Sequence, residues 1–185
     1  MKKRKNPKIQ ILRAFAIIAV VMIHTCPSGF FQIYVRPFIN YAVATFLFLS
    51  GYLTDISKIN IKEFYKKRIT RVIIPYTIWS FLYTTSGFIV TGVDFKKYIL
   101  NFLTAGGAPT MYYIFVYIQF VVLTPLLGKL LKKEYWCIGF VVAPISLLIK
   151  YYWVFTGTIP NKYVSVIWNV CCLGWFTFYY LGLYL

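Results

Sequence analysis

The chain has 185 residues, of which 60% are hydrophobic, 21% aromatic and 13% charged, and its mean hydropathy is +0.69. The few charged side chains cannot shield 17 Phe, 17 Tyr and 5 Trp from water. The composition therefore excludes the soluble enzyme classes and indicates a membrane protein. The formal net charge of +16 lies in short basic clusters between apolar runs. That pattern orients helices in a bilayer, so we expect membrane lipid and not nucleic acid as a partner.

Apolar stretches of spanning length occur six times along the chain, and they predict an all-α, polytopic transmembrane helical bundle. The long polar connections are predicted at Asp55–Arg71 and Gly92–Pro109. The first span follows a basic segment but lacks a cleavage site, so we interpret it as an uncleaved helix. The six predicted spans are Ile9–Cys26, Phe38–Leu53, Val72–Thr91, Tyr112–Gly128, Tyr135–Tyr152 and Val164–Leu185.

Lysine and arginine are divided unequally between the two sides of these spans. Fifteen of the 20 lie at the start of the first span or in the second and fourth connections, and five lie on the opposite side. Cytoplasmic loops carry the excess of Lys and Arg in multi-pass proteins. The pattern therefore predicts a protein of the cell membrane with its N-terminus in the cytoplasm.

The four cysteines and the single histidine do not form a metal-binding or disulfide pattern. No two cysteines have CxxC spacing, and one histidine excludes a motif that needs two. We therefore predict no metal cofactor and no disulfide framework. The cysteines are Cys26, Cys137, Cys171 and Cys172.

His24 is an ionisable residue within the first predicted span, where such a residue is by default a candidate for function. Arg13 precedes it by eleven positions and lies within about 20° of the same helix face. We expect Arg13 at the cytoplasmic edge and His24 at mid-depth, where a neutral imidazole could exchange protons in acyl transfer. The alternative is that His24 bonds a neighbouring helix and that Arg13 only reaches the membrane surface.

A second basic cluster, Lys67, Arg68 and Arg71, precedes the third predicted span. Arg68 and Arg71 are three residues apart and share a helix face, which could bind the phosphates of a nucleotide-bearing cosubstrate. The alternative is that the cluster only sets topology or contacts anionic lipid.

Other polar residues of the predicted spans give weaker signals. The four acidic residues lie outside the spans, which does not favour a carboxylate proton relay or a glycosidase. Gln119 and Thr124 could face a pocket, although such residues more often serve packing. Three prolines could kink the spans, namely Pro75, Pro125 and Pro144.

Four segments resemble motifs of the integral-membrane acyltransferase family 3, which includes O-acetyltransferases of bacterial surface polysaccharides. The first motif is an Arg followed, after ten residues, by a His. The order of the four segments along the spans is also similar to that of the family. They are Arg13–His24, Phe46–Leu53, Lys67–Arg71 running into Pro75 and Tyr76, and Tyr117–Gln119 with Thr124–Leu127.

The resemblance implies an enzyme that takes an acyl group, usually acetyl, from cytoplasmic acyl-CoA. It implies transfer of that group to a hydroxyl of a cell-envelope glycan or a lipid-linked sugar, with no metal. Its motifs imply that His24 is the catalytic base or an acyl relay and that Arg13 binds the donor or holds the helix. They also imply that Arg68 and Arg71, with Lys67, bind the donor.

The chain is shorter than the family's usual pattern, which has roughly ten spans and twice this length. We therefore interpret residues 1–185 as the N-terminal part of a membrane acyltransferase domain, with no separate soluble domain, and expect a fragment. Ser50 and Gly51 match a tight segment of the second span, where we expect helix packing. Two alternatives to catalysis stay open: a non-catalytic transport or sensor module, and an inactive remnant that binds CoA without turnover.

Overall fold

The structure is a computed structural model that describes residues 6–25, 29–58, 60–92, 94–104, 112–132, 137–158, 168 and 170–185. Within these ranges the chain is helical and has no strand, which confirms the predicted all-α fold. Residues Phe31–Val35 form a π-helix, and Ile56–Lys58 and Cys172–Trp175 form 3₁₀ turns. The α-helices in these ranges are α1 Pro7–Thr25, α2 Arg36–Ile39, α3 Tyr41–Tyr52, α4 Ile61–Thr91, α5 Phe95–Thr104, α6 Tyr112–Lys132, α7 Ile138–Thr156 and α8 Phe176–Tyr184.

Five helical stretches within the described ranges are long and apolar enough to cross a membrane, and they correspond to the first five predicted spans. The sixth predicted span, Val164–Leu185, lies partly outside the described residues. Its described part ends in α8, whose nine residues rise only about 14 Å. The five stretches are Pro7–Thr25, Phe31–Tyr52, Ile61–Thr91, Tyr112–Leu131 and Ile138–Thr156.

The helix that contains the third predicted span, Val72–Thr91, already starts at Ile61, eleven residues before that span. The Asn60 side chain caps it by accepting a hydrogen bond from the Glu63 backbone N–H at 3.5 Å. Charged residues interrupt the apolar stretch from which a span is predicted, but they do not end the helix. The 31 residues of α4 rise about 46 Å, more than the hydrocarbon thickness of about 30 Å, so its basic first turns can extend beyond the bilayer core.

The connection predicted at Gly92–Pro109 contains the amphipathic helix α5, which packs against α4. The Tyr98 ring meets Phe88 edge-on, with centroids 5.5 Å apart, and its hydroxyl lies 3.1 Å from that of Thr85. Nearer the end of α5, the Phe102 carbonyl accepts hydrogen bonds from Tyr76 at 2.6 Å and Ser80 at 3.1 Å. Since later residues of α5 meet earlier residues of α4, the two helices run antiparallel.

The chain divides into two compact units. The first unit comprises Met1–Ser57, Leu126–Thr158 and Leu173–Leu185, and includes helices α1, α2, α3, α7 and α8. The second unit comprises Lys58–Pro125 and Ile159–Cys172, and includes α4, α5 and the first part of α6.

The closest helix contact in the first unit joins α3 to α8 at two glycines. A Cβ built on Gly51 would overlap the Tyr179 carbonyl oxygen and lie 2.9 Å from the Leu183 nitrogen. A Cβ on Gly182 would overlap the Phe48 carbonyl oxygen in the same way. The backbones can therefore touch only because both residues lack a side chain. This confirms packing as the role of Gly51.

Helix α7 packs against another face of α8, the one that carries Thr177 and Tyr180. The Tyr180 ring lies where a Cβ of Gly139 would be, and the Thr177 hydroxyl donates to the Gly139 carbonyl at 2.9 Å. Tyr179 and Tyr180 are almost completely buried. On the other side of α3, α1 packs through Ala16 and Ala19. Small residues thus bring α1 close to α3, and α7 close to α8.

Substitution of Gly182 by Leu tests the α3–α8 contact. We expect a loss of about 1–3 kcal/mol of stability, because the new side chain must push the two backbones apart. The measurement is the thermal unfolding midpoint of the purified protein in detergent. The control is Gly87→Leu, since nothing lies within 4 Å of a Cβ at Gly87. Equal midpoints for both variants would show that the close contact does not stabilise the unit.

Candidate functional site

Arg13 and His24 lie on the same side of α1 at different heights. Arg13 is half-buried and lies one turn before Ala16, a residue of the α1–α3 contact. His24 is exposed in the last turn of α1, and its expected position at mid-depth in the membrane stays a prediction. The eleven positions from Arg13 to His24 correspond to a rise of about 16 Å. The helix therefore aligns the two side chains without bringing them together.

Neither side chain is held by a partner within the part of the chain that the structure describes. No hydrogen bond or ion pair of the Arg13 guanidinium or the His24 imidazole occurs among these residues. The neighbouring Thr25 hydroxyl, in contrast, is satisfied by the Val21 carbonyl of its own helix at 2.8 Å. His24 therefore does not form the interhelical hydrogen bond of the packing alternative with any described residue.

The basic cluster of Lys67, Arg68 and Arg71 lies in the first third of α4. At 100° per residue, the three side chains fall within an arc of about 100°. Lys67 and Arg71 are exposed, whereas Arg68 is half-buried. Like charges one turn apart repel each other, so an anion that contacts all three would relieve this repulsion.

Arg68 is the member of the cluster whose guanidinium is fixed. Its Nη1 donates a hydrogen bond to the Tyr117 hydroxyl of α6 at 3.3 Å. Its Cζ lies 5.5 Å from the centre of the Phe64 ring, one turn earlier on α4, in a cation–π contact. The sequence indicated the three cations but not these two aromatic contacts.

Three contacts show that α4 and α6 run antiparallel. The Tyr65 hydroxyl donates to the Val122 carbonyl at 2.9 Å, and Arg68 meets Tyr117 as described above. Further along α4, the Tyr76 ring meets Phe115 edge-on with centroids 6.0 Å apart. An antiparallel pair is what consecutive membrane spans require.

A family model of the acyltransferase domain, acyltransferase family 3, matches residues 6–185. The chain belongs to this family. Together with its long apolar helices, this makes it a membrane acyltransferase and confirms the resemblance of its motifs. No match was found among curated proteins or among solved structures.

Gln119 has a structural role in this acyltransferase. Its amide oxygen accepts from the Cys172 backbone N–H at 3.1 Å, and its amide nitrogen donates to the Val170 carbonyl at 2.8 Å. It therefore fixes the segment that leads into α8 by satisfying two backbone groups. Thr124 is buried and donates to the Phe120 carbonyl of its own helix at 2.7 Å. Both residues serve packing.

The described residues of the acyltransferase do not assemble a metal site. They contain no group of three His, Cys, Asp or Glu side chains that could hold an ion. Cys137, Cys171 and Cys172 are free thiols, and Cys26 lies outside the described residues.

Replacement of Gln119 by Leu tests the role of its amide. The backbone groups of residues 170 and 172 would lose their partners, at a cost of about 1–3 kcal/mol for a buried group. In a background in which Cys172 is the sole cysteine, we expect a membrane-permeant maleimide to label Cys172 faster in Gln119→Leu than in the protein that retains Gln119. Gln119→Glu, which keeps the acceptor for the Cys172 N–H, should label at an intermediate rate. Unchanged labelling in Gln119→Leu would contradict this role.

Proposed function

We propose that this membrane acyltransferase transfers an acyl group, normally acetyl, from cytoplasmic acyl-CoA to a hydroxyl of a bacterial cell-envelope glycan or lipid-linked sugar. Family membership supports acyl transfer in general. The observation that supports the donor is the cluster of Lys67, Arg68 and Arg71 on one side of α4. CoA carries a diphosphate and a 3′-phosphate, and arginine binds such groups through paired hydrogen bonds.

The proposed orientation allows this cluster to meet a cytoplasmic donor. The excess of Lys and Arg at the start of α1 and in the connection before α4 supports a cytoplasmic N-terminus. In that orientation the first turns of α4 are on the cytoplasmic side, where acyl-CoA is made. The last turn of α1, with His24, is then on the side of the cell envelope.

His24 is the proposed catalytic base. Its imidazole removes the proton from the acceptor hydroxyl as the oxygen attacks the acyl carbonyl, and the proton then passes to the departing thiolate. The same imidazole could instead carry the acyl group between donor and acceptor. Its exposure at the end of α1 supports this role, because a glycan must be able to reach it. Arg13 then binds the donor or holds α1 against α3.

Replacement of His24 by Ala tests the proposed base. Loss of a general base typically lowers rates by about 10²–10⁴-fold, so transfer of labelled acetyl from acetyl-CoA to glycan in membranes should be abolished. The control is Thr25→Ala, the exposed neighbour that bonds only its own helix, which should retain transfer. Transfer that persists in His24→Ala at equal protein level would exclude His24 as the base.

Replacement of Arg68 or Arg71 by Gln tests the proposed donor site. Each loss of a charged contact to phosphate should raise the KM for acetyl-CoA about tenfold, with a smaller effect on kcat. Lys66→Gln removes an exposed charge about 100° around the helix from Lys67 and is the matched control. Unchanged KM values in both Arg variants would contradict the donor site. Binding of CoA without any transfer by the unaltered protein would favour the inactive remnant.

A further inference from the structure

We propose that Tyr117 is a positioning residue that fixes the guanidinium of Arg68 for the acyl-CoA phosphates. This inference rests on the proposed donor site, and it assigns a role to a residue of α6 that carries no charge. The Tyr117 hydroxyl accepts the hydrogen bond from Arg68 Nη1 at 3.3 Å, across 49 positions of sequence. The bond therefore sets the direction of Arg68 from a second helix.

Phe64 completes the arrangement from the helix that carries Arg68. Its ring lies one turn before Arg68, and the 5.5 Å distance from the ring centre to Cζ places the cation over the aromatic face. The guanidinium is thus held by a ring on α4 and a hydroxyl on α6. An arginine has many rotamers in the free state, and one that is already held loses less entropy when a phosphate binds.

Arg71 and Lys67 provide the contrast within the same cluster. Both are exposed, and neither forms a hydrogen bond or an ion pair with any residue that the structure describes. Their charges attract an anion but do not fix where it binds. Arg68 is the member that can set the position of the phosphate. Although Tyr117 is neutral, its bond to Arg68 should therefore affect the affinity for acyl-CoA.

Tyr65 is a matched control for this role. Its hydroxyl also joins α4 to α6, through the Val122 carbonyl at 2.9 Å, and it is not bonded to Arg68. If Tyr117 only held the two helices together, loss of either hydroxyl would have the same effect. If Tyr117 acts through Arg68, only Tyr117→Phe should weaken CoA binding.

The experiment measures the Kd of labelled CoA for the full chain in nanodiscs, with Tyr117→Phe, Arg68→Gln, their double variant and Tyr65→Phe. Loss of the hydrogen bond should raise the Kd about three- to tenfold in Tyr117→Phe. The double variant should bind no more weakly than Arg68→Gln alone, because the hydroxyl acts only through that guanidinium. Tyr65→Phe should bind normally. In membranes, Tyr117→Phe should raise the KM for acetyl-CoA with little change in kcat.

Three results would overturn the inference, and they can be told apart. An unchanged Kd in Tyr117→Phe beside a weakened Arg68→Gln would exclude positioning by Tyr117 and leave the donor site intact. Equal weakening in Tyr65→Phe and Tyr117→Phe would assign both hydroxyls to helix packing. An unchanged Kd in Arg68→Gln would remove the donor site itself, and the role of Tyr117 with it.

Discussion

The contact between the backbones of α3 and α8 at Gly51 and Gly182 determines how the first unit is built. Lipid tails are as apolar as leucine, so helices in a bilayer gain little free energy by burying hydrophobic side chains against one another. They associate where backbones can approach closely. α8 meets α3 through glycine on both sides, and α7 through Gly139, whose missing side chain is replaced by the Tyr180 ring. Large hydrophobic residues of α1 and α7 remain exposed outside these contacts.

The hydroxyl groups of the spans follow a second constraint, because they must find acceptors where water is absent. The hydroxyls of most threonines in the spans donate a hydrogen bond to the carbonyl four residues earlier in the same helix. A threonine within a span is therefore weak evidence for a substrate site. The threonines that do so are Thr25, Thr45, Thr84, Thr91, Thr124 and Thr156.

The sequence predicted the helical class and the first five spans, because apolar length is directly readable. The apolar pattern did not show where α4 starts, since charged residues end an apolar stretch but do not end a helix. It also missed α5, although Phe95, Tyr98, Ile99 and Phe102 have the spacing of one helix face. The charged members of the candidate donor site were readable as motif residues. Tyr117 was not assigned a role in it, because its relation to Arg68 exists only once α4 and α6 are paired.

The spacing of Arg13 and His24 in the sequence fixes how far apart the two residues lie along α1. A general base acts within about 3 Å of the proton it takes, and the eleven positions from Arg13 to His24 correspond to a rise of about 16 Å along the helix. They cannot act on the same atom of a substrate while α1 remains helical. Arg13 lies beside the α1–α3 contact, whereas His24 is exposed at the end of the helix. If both residues are needed for transfer, the motif serves two steps at two heights along α1. Arg13 acts near the start of the helix, and proton or acyl transfer takes place at its end.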